Sequence, residues 1–130
     1  MQKIRFMKRV ILMLLLSVGF VSFTHAQAKK KGYETVTIKT PGANCELCKN
    51  RIESYMKREE GVTKTVVDFK RGTTKVTFWN EKTNIENVRT GIANAGYDAD
   101  DVTANPDSYK QLPRSCKKPE DGGPAAPKKP

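Results

Sequence analysis

Apolar positions along this chain change period several times, and each change marks an element. Between Tyr33 and Thr40 the pattern alternates, with Tyr33, Thr35 and Thr37 on one side and Val36 and Ile38 on the other. That period of two predicts a half-buried strand, stopped by Pro41-Gly42. From Glu46 to Glu59 the spacing lengthens: Cys48, Ile52, Tyr55 and Met56 fall on one face, with Lys49, Arg51, Glu53, Lys57 and Arg58 around the rest. This predicts a helix, and Gly61 supplies its stop. Val62 to Phe69 and Thr73 to Trp79 are rich in β-branched and aromatic residues and flank Lys70-Arg71-Gly72, which predicts a hairpin. Thr83 and Glu86 have the spacing of a capping box, opening a second helix that buries Ile85, Val88, Ile92 and Ala95 and ends at Gly96. Tyr97 to Ala104 is short and acidic, and predicts a last edge strand.

The order β-α-β-β-α-β predicts an α+β, ferredoxin-like sandwich: a four-stranded antiparallel sheet with both helices on one face. It accounts for residues 33–105 only. Residues 1–9 carry Lys3, Arg5, Lys8 and Arg9 without an acid, and an uncharged, mostly apolar run from Val10 to Phe23 follows. As a helix that run reaches about 21 Å, short of a hydrocarbon core of roughly 30 Å. Residues 1–26 therefore read as a signal peptide, cleaved before Gln27 or Lys29, and the expected location is periplasmic or secreted. The only histidine, His25, lies at or before the cut. Residues 106–130, with Pro106, Pro113, Pro119, Pro124, Pro127 and Pro130, read as a loosely attached, largely disordered extension.

Charge at first points toward nucleic acid, since the whole chain carries a formal +10. Between Tyr33 and Pro106, however, 11 Lys or Arg face 11 Asp or Glu, so the excess lies in the flanks. A neutral fold with basic tails gives no reason for a nucleic-acid groove. An RNA-recognition module shares the element order, but its base-stacking positions hold Thr73 and Lys75. No nucleic-acid partner is expected, and the protein is expected to be monomeric.

The candidate chemistry is the pair Cys45 and Cys48 in Gly42-Ala43-Asn44-Cys45-Glu46-Leu47-Cys48. The pair falls at the mouth of the first predicted helix, where unpaired N–H groups favour thiolate over thiol. Two such sulfurs suit metals that accept low coordination, Cu(I) or Hg(II), whereas Zn(II) prefers four ligands. Zn(II) and Cd(II) remain alternatives. The same CxxC serves thiol-disulfide redox proteins, and that is the rival reading for an exported chain. Glu46 reads as a favourable first-turn acid or as a carboxylate biasing the site toward a divalent ion. The odd thiol, Cys116, is open to three readings: a free or mixed-disulfide tail cysteine, a third sulfur folded back onto the pair, or a bridge between two molecules.

GxxCxxC at Gly42, Cys45 and Cys48, the element order, and Gly-Tyr-Asp at residues 96–98 together resemble the heavy-metal-associated domain family over roughly residues 34–104. That family occurs in soluble copper chaperones, in amino-terminal regions of metal-pumping ATPases and in periplasmic mercury-binding proteins. The resemblance implies Cys45 and Cys48 as metal ligands, Tyr97 beside the site as a shield, and a non-enzymatic metallochaperone or scavenger. It also implies, as partner, a membrane metal transporter or another CxxC domain. The chain departs from the family at Ala43, where methionine usually packs beneath the loop, and this implies a looser site.

Overall fold

The computed structural model describes residues 2–16 and 31–125. The cleavage positions and His25 lie outside the described residues. Helix α1 spans Gln2–Leu16, and no described helix is long and apolar enough to cross a membrane.

Strands β1 (Tyr33–Lys39), β2 (Val62–Asp68) and β3 (Thr73–Trp79) form one antiparallel sheet in the order β1-β3-β2. Tyr33 pairs with Trp79 and Lys39 with Thr73, so β1 lies along the whole of β3. Helices α2 (Glu46–Met56) and α3 (Ile85–Asn94) set Ile52, Met56, Val88 and Ile92 against Ile38, Val67, Val76 and Phe78. Complete burial of such side chains stabilises by about 1.5–3 kcal/mol each. Thr40 and Thr74 are buried too, but their hydroxyls satisfy each other at 2.8 Å. Glu53 on α2 accepts the Val67 N–H at 2.9 Å, which ties helix to edge strand.

Two local expectations are corrected. The cap of α3 is Asn84 rather than Thr83: its Oδ1 accepts the Asn87 N–H at 2.9 Å. An amide oxygen one residue later does the work expected of the threonine hydroxyl. The larger correction is the fourth strand, since among the described residues the sheet has three. Tyr97 to Ala104 forms a turn with a single bridge between Ala99 and Val102, around Asp100 at φ +53°. Two of the acids expected to guard a strand edge accept backbone N–H groups instead, one within the turn and one on β1. Asp98 accepts the Ala104 N–H at 2.9 Å. Asp100 takes the Lys39 N–H on its carboxylate at 2.7 Å and donates its own N–H to the Lys39 carbonyl at 2.9 Å. The edge of β1 is thus met at one residue, not by a ladder.

The extension read from composition as loosely attached is described as far as residue 125 and holds three short helical segments: α4 (Pro106–Lys110) and 3₁₀ turns at Arg114–Cys116 and Pro119–Asp121. Two of the prolines that discourage regular structure elsewhere open helical turns here, Pro106 in α4 and Pro119 in the last turn. Asn105 caps α4 through the N–H groups of Asp107 and Ser108. Its own N–H bonds the Ala93 carbonyl at 2.9 Å, and Leu112 and Cys116 are buried in the core.

Candidate metal centre

Pro41-Gly42 ends β1, and the Ala43 N–H closes the turn onto the Thr40 carbonyl at 3.1 Å. Cys45 then stands as the N-cap of α2 in extended conformation (φ −153°, ψ 170°), and Cys48 sits three residues into the helix. Their sulfurs lie 2.9 Å apart as free thiols. Cys48 is buried and its thiol donates to the Asn44 side-chain oxygen at 3.3 Å, while Cys45 is half-buried.

Cys116 completes the cluster. Its sulfur is 3.9 Å from that of Cys45, and all three sulfurs lie within 4.8 Å of one another. The C-terminal segment folds back and sets this cysteine beside the pair. Among the described residues, no other group of three cysteine, histidine or acidic side chains is gathered closely enough to hold an ion. Glu46 is not part of the cluster, since its exposed carboxylate faces Lys49 at 3.9 Å.

The two pair thiols are electrostatically unlike. Burial works to raise Cys45, but hydrogen bonding with the Cys48 thiol, the Cys48 and Leu47 N–H groups and the Cys116 thiol outweighs it, holding Cys45 below the usual thiol value. Burial is also the main influence on Cys48, and contact with Cys116 and Cys45 adds to it, so that this thiol is pushed up to about 12. Tyr97 is 2 % exposed, and its hydroxyl is buried with no hydrogen bond of good geometry. Burial first, and then the neighbouring Cys116 and Cys48 sulfurs, push its pKa well above the ordinary tyrosine value.

Sequence reasoning missed the residues that bring Cys116 in. Leu112 packs on Gly96, where an added Cβ would meet Leu112 Cδ2 at 3.1 Å. Lys118 bonds Asp98 at 3.0 Å, its N–H donates to the Tyr109 hydroxyl at 2.9 Å, and that hydroxyl donates to Asp121 at 2.5 Å. One signal was present: Tyr109, Leu112 and Cys116 repeat at intervals of three and four, the spacing of a buried helical face.

A heavy-metal-associated domain is matched over residues 37–98. The chain is 36 % identical over 64 residues to the "Mercuric transport protein periplasmic component" of Salmonella typhi, covering 49 % of this chain and 70 % of that protein. Among solved structures, oxidized MerP from Ralstonia metallidurans CH34 superposes with a TM-score of 0.50 at 32 % identity, covering 52 % of this chain and 94 % of that one. The N-terminal domain of a potential copper-translocating P-type ATPase from Bacillus subtilis, in its Cu(I)-loaded state, gives a TM-score of 0.50 at 25 % identity, covering 53 % and 86 %. Three strands, two packed helices and a CxxC at a helix start, together with these relatives, establish that the chain belongs to the heavy-metal-associated domain family.

Proposed function

We propose that this is an exported, non-enzymatic carrier that captures a soft cation, Hg(II) or Cu(I), on Cys45 and Cys48 and passes it on by thiolate exchange. The observation that carries the reading is the pair itself: two free sulfurs 2.9 Å apart at a helix start, one half-exposed and biased toward thiolate. Each incoming acceptor thiolate replaces one outgoing sulfur, so tight binding and quick transfer are compatible. Tyr97 shields the buried side of the pair. The basic and then apolar start of the chain, and the naming of a relative as a periplasmic component, support action outside the cytoplasm, with a membrane transporter or another CxxC domain as acceptor. In this reading residues 33–105 are the metal-binding domain, residues 1–26 the export signal and residues 106–130 an appendage.

Native mass spectrometry of the reduced protein, offered Hg(II), Cu(I), Cd(II) and Zn(II) in competition, tests the reading. One soft ion per chain is expected, with loading abolished or severely weakened in the double variant Cys45→Ser/Cys48→Ser. Undiminished loading in that variant would remove the claim.

A dithiol redox role is the second reading, favoured by one observation: a lowered Cys45 beside a raised Cys48 is the asymmetry such couples use. Turnover in a disulfide reductase assay would establish it, and none is expected.

A further inference from the structure

We propose that Cys116 is a third ligand, so that the cargo site is a three-sulfur cup for a thiophilic divalent ion, closed by the C-terminal segment. The proposal rests on the reading of Cys45 and Cys48 as ligands and adds what lies opposite them.

Geometry is the first support. With metal–sulfur bonds of about 2.3 Å, sulfurs at the corners of a planar trigonal site stand about 4.0 Å apart, and at the ends of a linear site about 4.6 Å. Cys45 and Cys116 are already 3.9 Å apart, and no pair in the triangle exceeds 4.8 Å. Cys45 and Cys48, at 2.9 Å, need a smaller opening to reach trigonal spacing than linear spacing.

The second support is Tyr97. A buried hydroxyl without a good partner costs free energy, and here its polar neighbours are the Cys116 and Cys48 sulfurs. A thiolate is a far better acceptor than a thiol. Each sulfur that bonds the ion gives its proton to solvent, so a divalent ion on three cysteines leaves a net charge of −1, and Cu(I) leaves −2. The Tyr97 O–H then donates to a metal-bound thiolate, while Lys118, which lines the same small cleft as Cys116 and Tyr97, is already paired with Asp98 and leaves the residual charge largely unbalanced. The smaller residual charge favours the divalent ion.

The third support is that Cys116 is held in place. Asn105 to Ala93, Leu112 on Gly96, Lys118 to Asp98 and the Tyr109 hydroxyl to Asp121 fasten the segment on both sides of it. An acceptor thiolate would therefore meet a filled trigonal site, and release would require the segment to withdraw its sulfur.

X-ray absorption at the mercury edge tests this on the reduced full chain with one equivalent of Hg(II) and no added thiol. Three sulfur neighbours are expected, falling to two at shorter distance in Cys116→Ser and Cys116→Ala, with both variants still binding one ion per chain. Release to an excess dithiol chelator should quicken tenfold or more in these variants. Two sulfurs in the unaltered protein, an unchanged count in both variants, or a two-chain complex bridged through Cys116 would overturn the proposal while leaving the pair intact. Full loading in the double variant Cys45→Ser/Cys48→Ser would instead overturn the underlying reading. The measurement on the unaltered protein decides the matter even if a variant fails to fold.

Discussion

Lys118 Nζ lies 3.0 Å from the Asp98 carboxylate, and the same carboxylate accepts the Ala104 N–H at 2.9 Å. One acid thus joins the loop carrying Tyr97, the start of the C-terminal segment and the residue two beyond Cys116. Burial acts to raise Asp98, but the Ala104 N–H and the Lys118 ammonium outweigh it and hold it below the ordinary carboxylate value. Asp100 is likewise lowered, the Lys39 N–H and Arg89 outweighing burial.

Depressed carboxylates contribute stability above their unfolded pKa and lose it as pH falls through the lower folded value. Urea unfolding followed by fluorescence should therefore be flat from neutral pH to about 4 and weaken below it. Asp98→Asn should soften that acid limb. Lys118→Ala should cost no more than about 1 kcal/mol, because the ammonium is partly solvated. An acid limb identical in Asp98→Asn and the unaltered protein would show that Asp98 contributes nothing to it.

Gly96 is a tight point where the segment meets the domain. Its φ is +103°, and an added Cβ would meet Leu112 Cδ2 at 3.1 Å and the Ser108 carbonyl at 3.2 Å. Gly96→Ala should cost about 1–3 kcal/mol through backbone strain alone. Crowding against Leu112 adds to this and should expose Cys116. Thermal unfolding together with the alkylation rate of Cys116 measures both effects. An unchanged Tm would show that the turn relaxes without strain.

Strands β1 to β3, helices α2 and α3 and the place of the cysteine pair were legible in the sequence because their signals are local: period two in β1, period 3.6 in α2, and two cysteines at the point where one period gives way to the other. Asp98 and Asp100 misled for an equally physical reason. Acids that would discourage edge pairing also bond nearby N–H groups, and only the position of Lys39 decides which use prevails. Thr83 and Asn84 are both good caps, and the side chain that reached the Asn87 N–H was one residue along. For Cys116, composition pulled against periodicity. The prolines and lysines marked the tail as non-core, while Tyr109, Leu112 and Cys116 carried a short apolar face whose partner, Gly96, was not visible from sequence distance.

Ala43 tests what the departure from the family's usual methionine does. The alanine is completely buried, in one core cluster with Tyr97, Leu112 and Cys116. Adding a methionine side chain to a filled core typically costs about 1–3 kcal/mol. Ala43→Met should accordingly lower the Tm while leaving Cys45 and Cys48 able to bind metal. A stabilised variant would show instead that the alanine leaves room beneath the loop, as the resemblance by itself implies.

The three thiols should differ in reactivity, and the order follows from burial and hydrogen bonding. Cys45 is half-buried and held below the usual thiol value, so its thiolate fraction at neutral pH is raised. Cys48 is buried and pushed up to about 12, and Cys116 is buried behind Leu112 and the last turns. Mass mapping after limited treatment with iodoacetamide should find Cys45 modified first, at a rate that titrates below pH 9. A raised Cys48 contributes stability that is complete below the unfolded thiol value and is lost as pH rises toward the folded one. The alkaline limb of stability should therefore begin near pH 9, and Cys48→Ser should weaken it. Faster alkylation of Cys48 than of Cys45 would mean that the helix start does not polarise the pair, and would remove Cys45 as the first contact for an incoming ion.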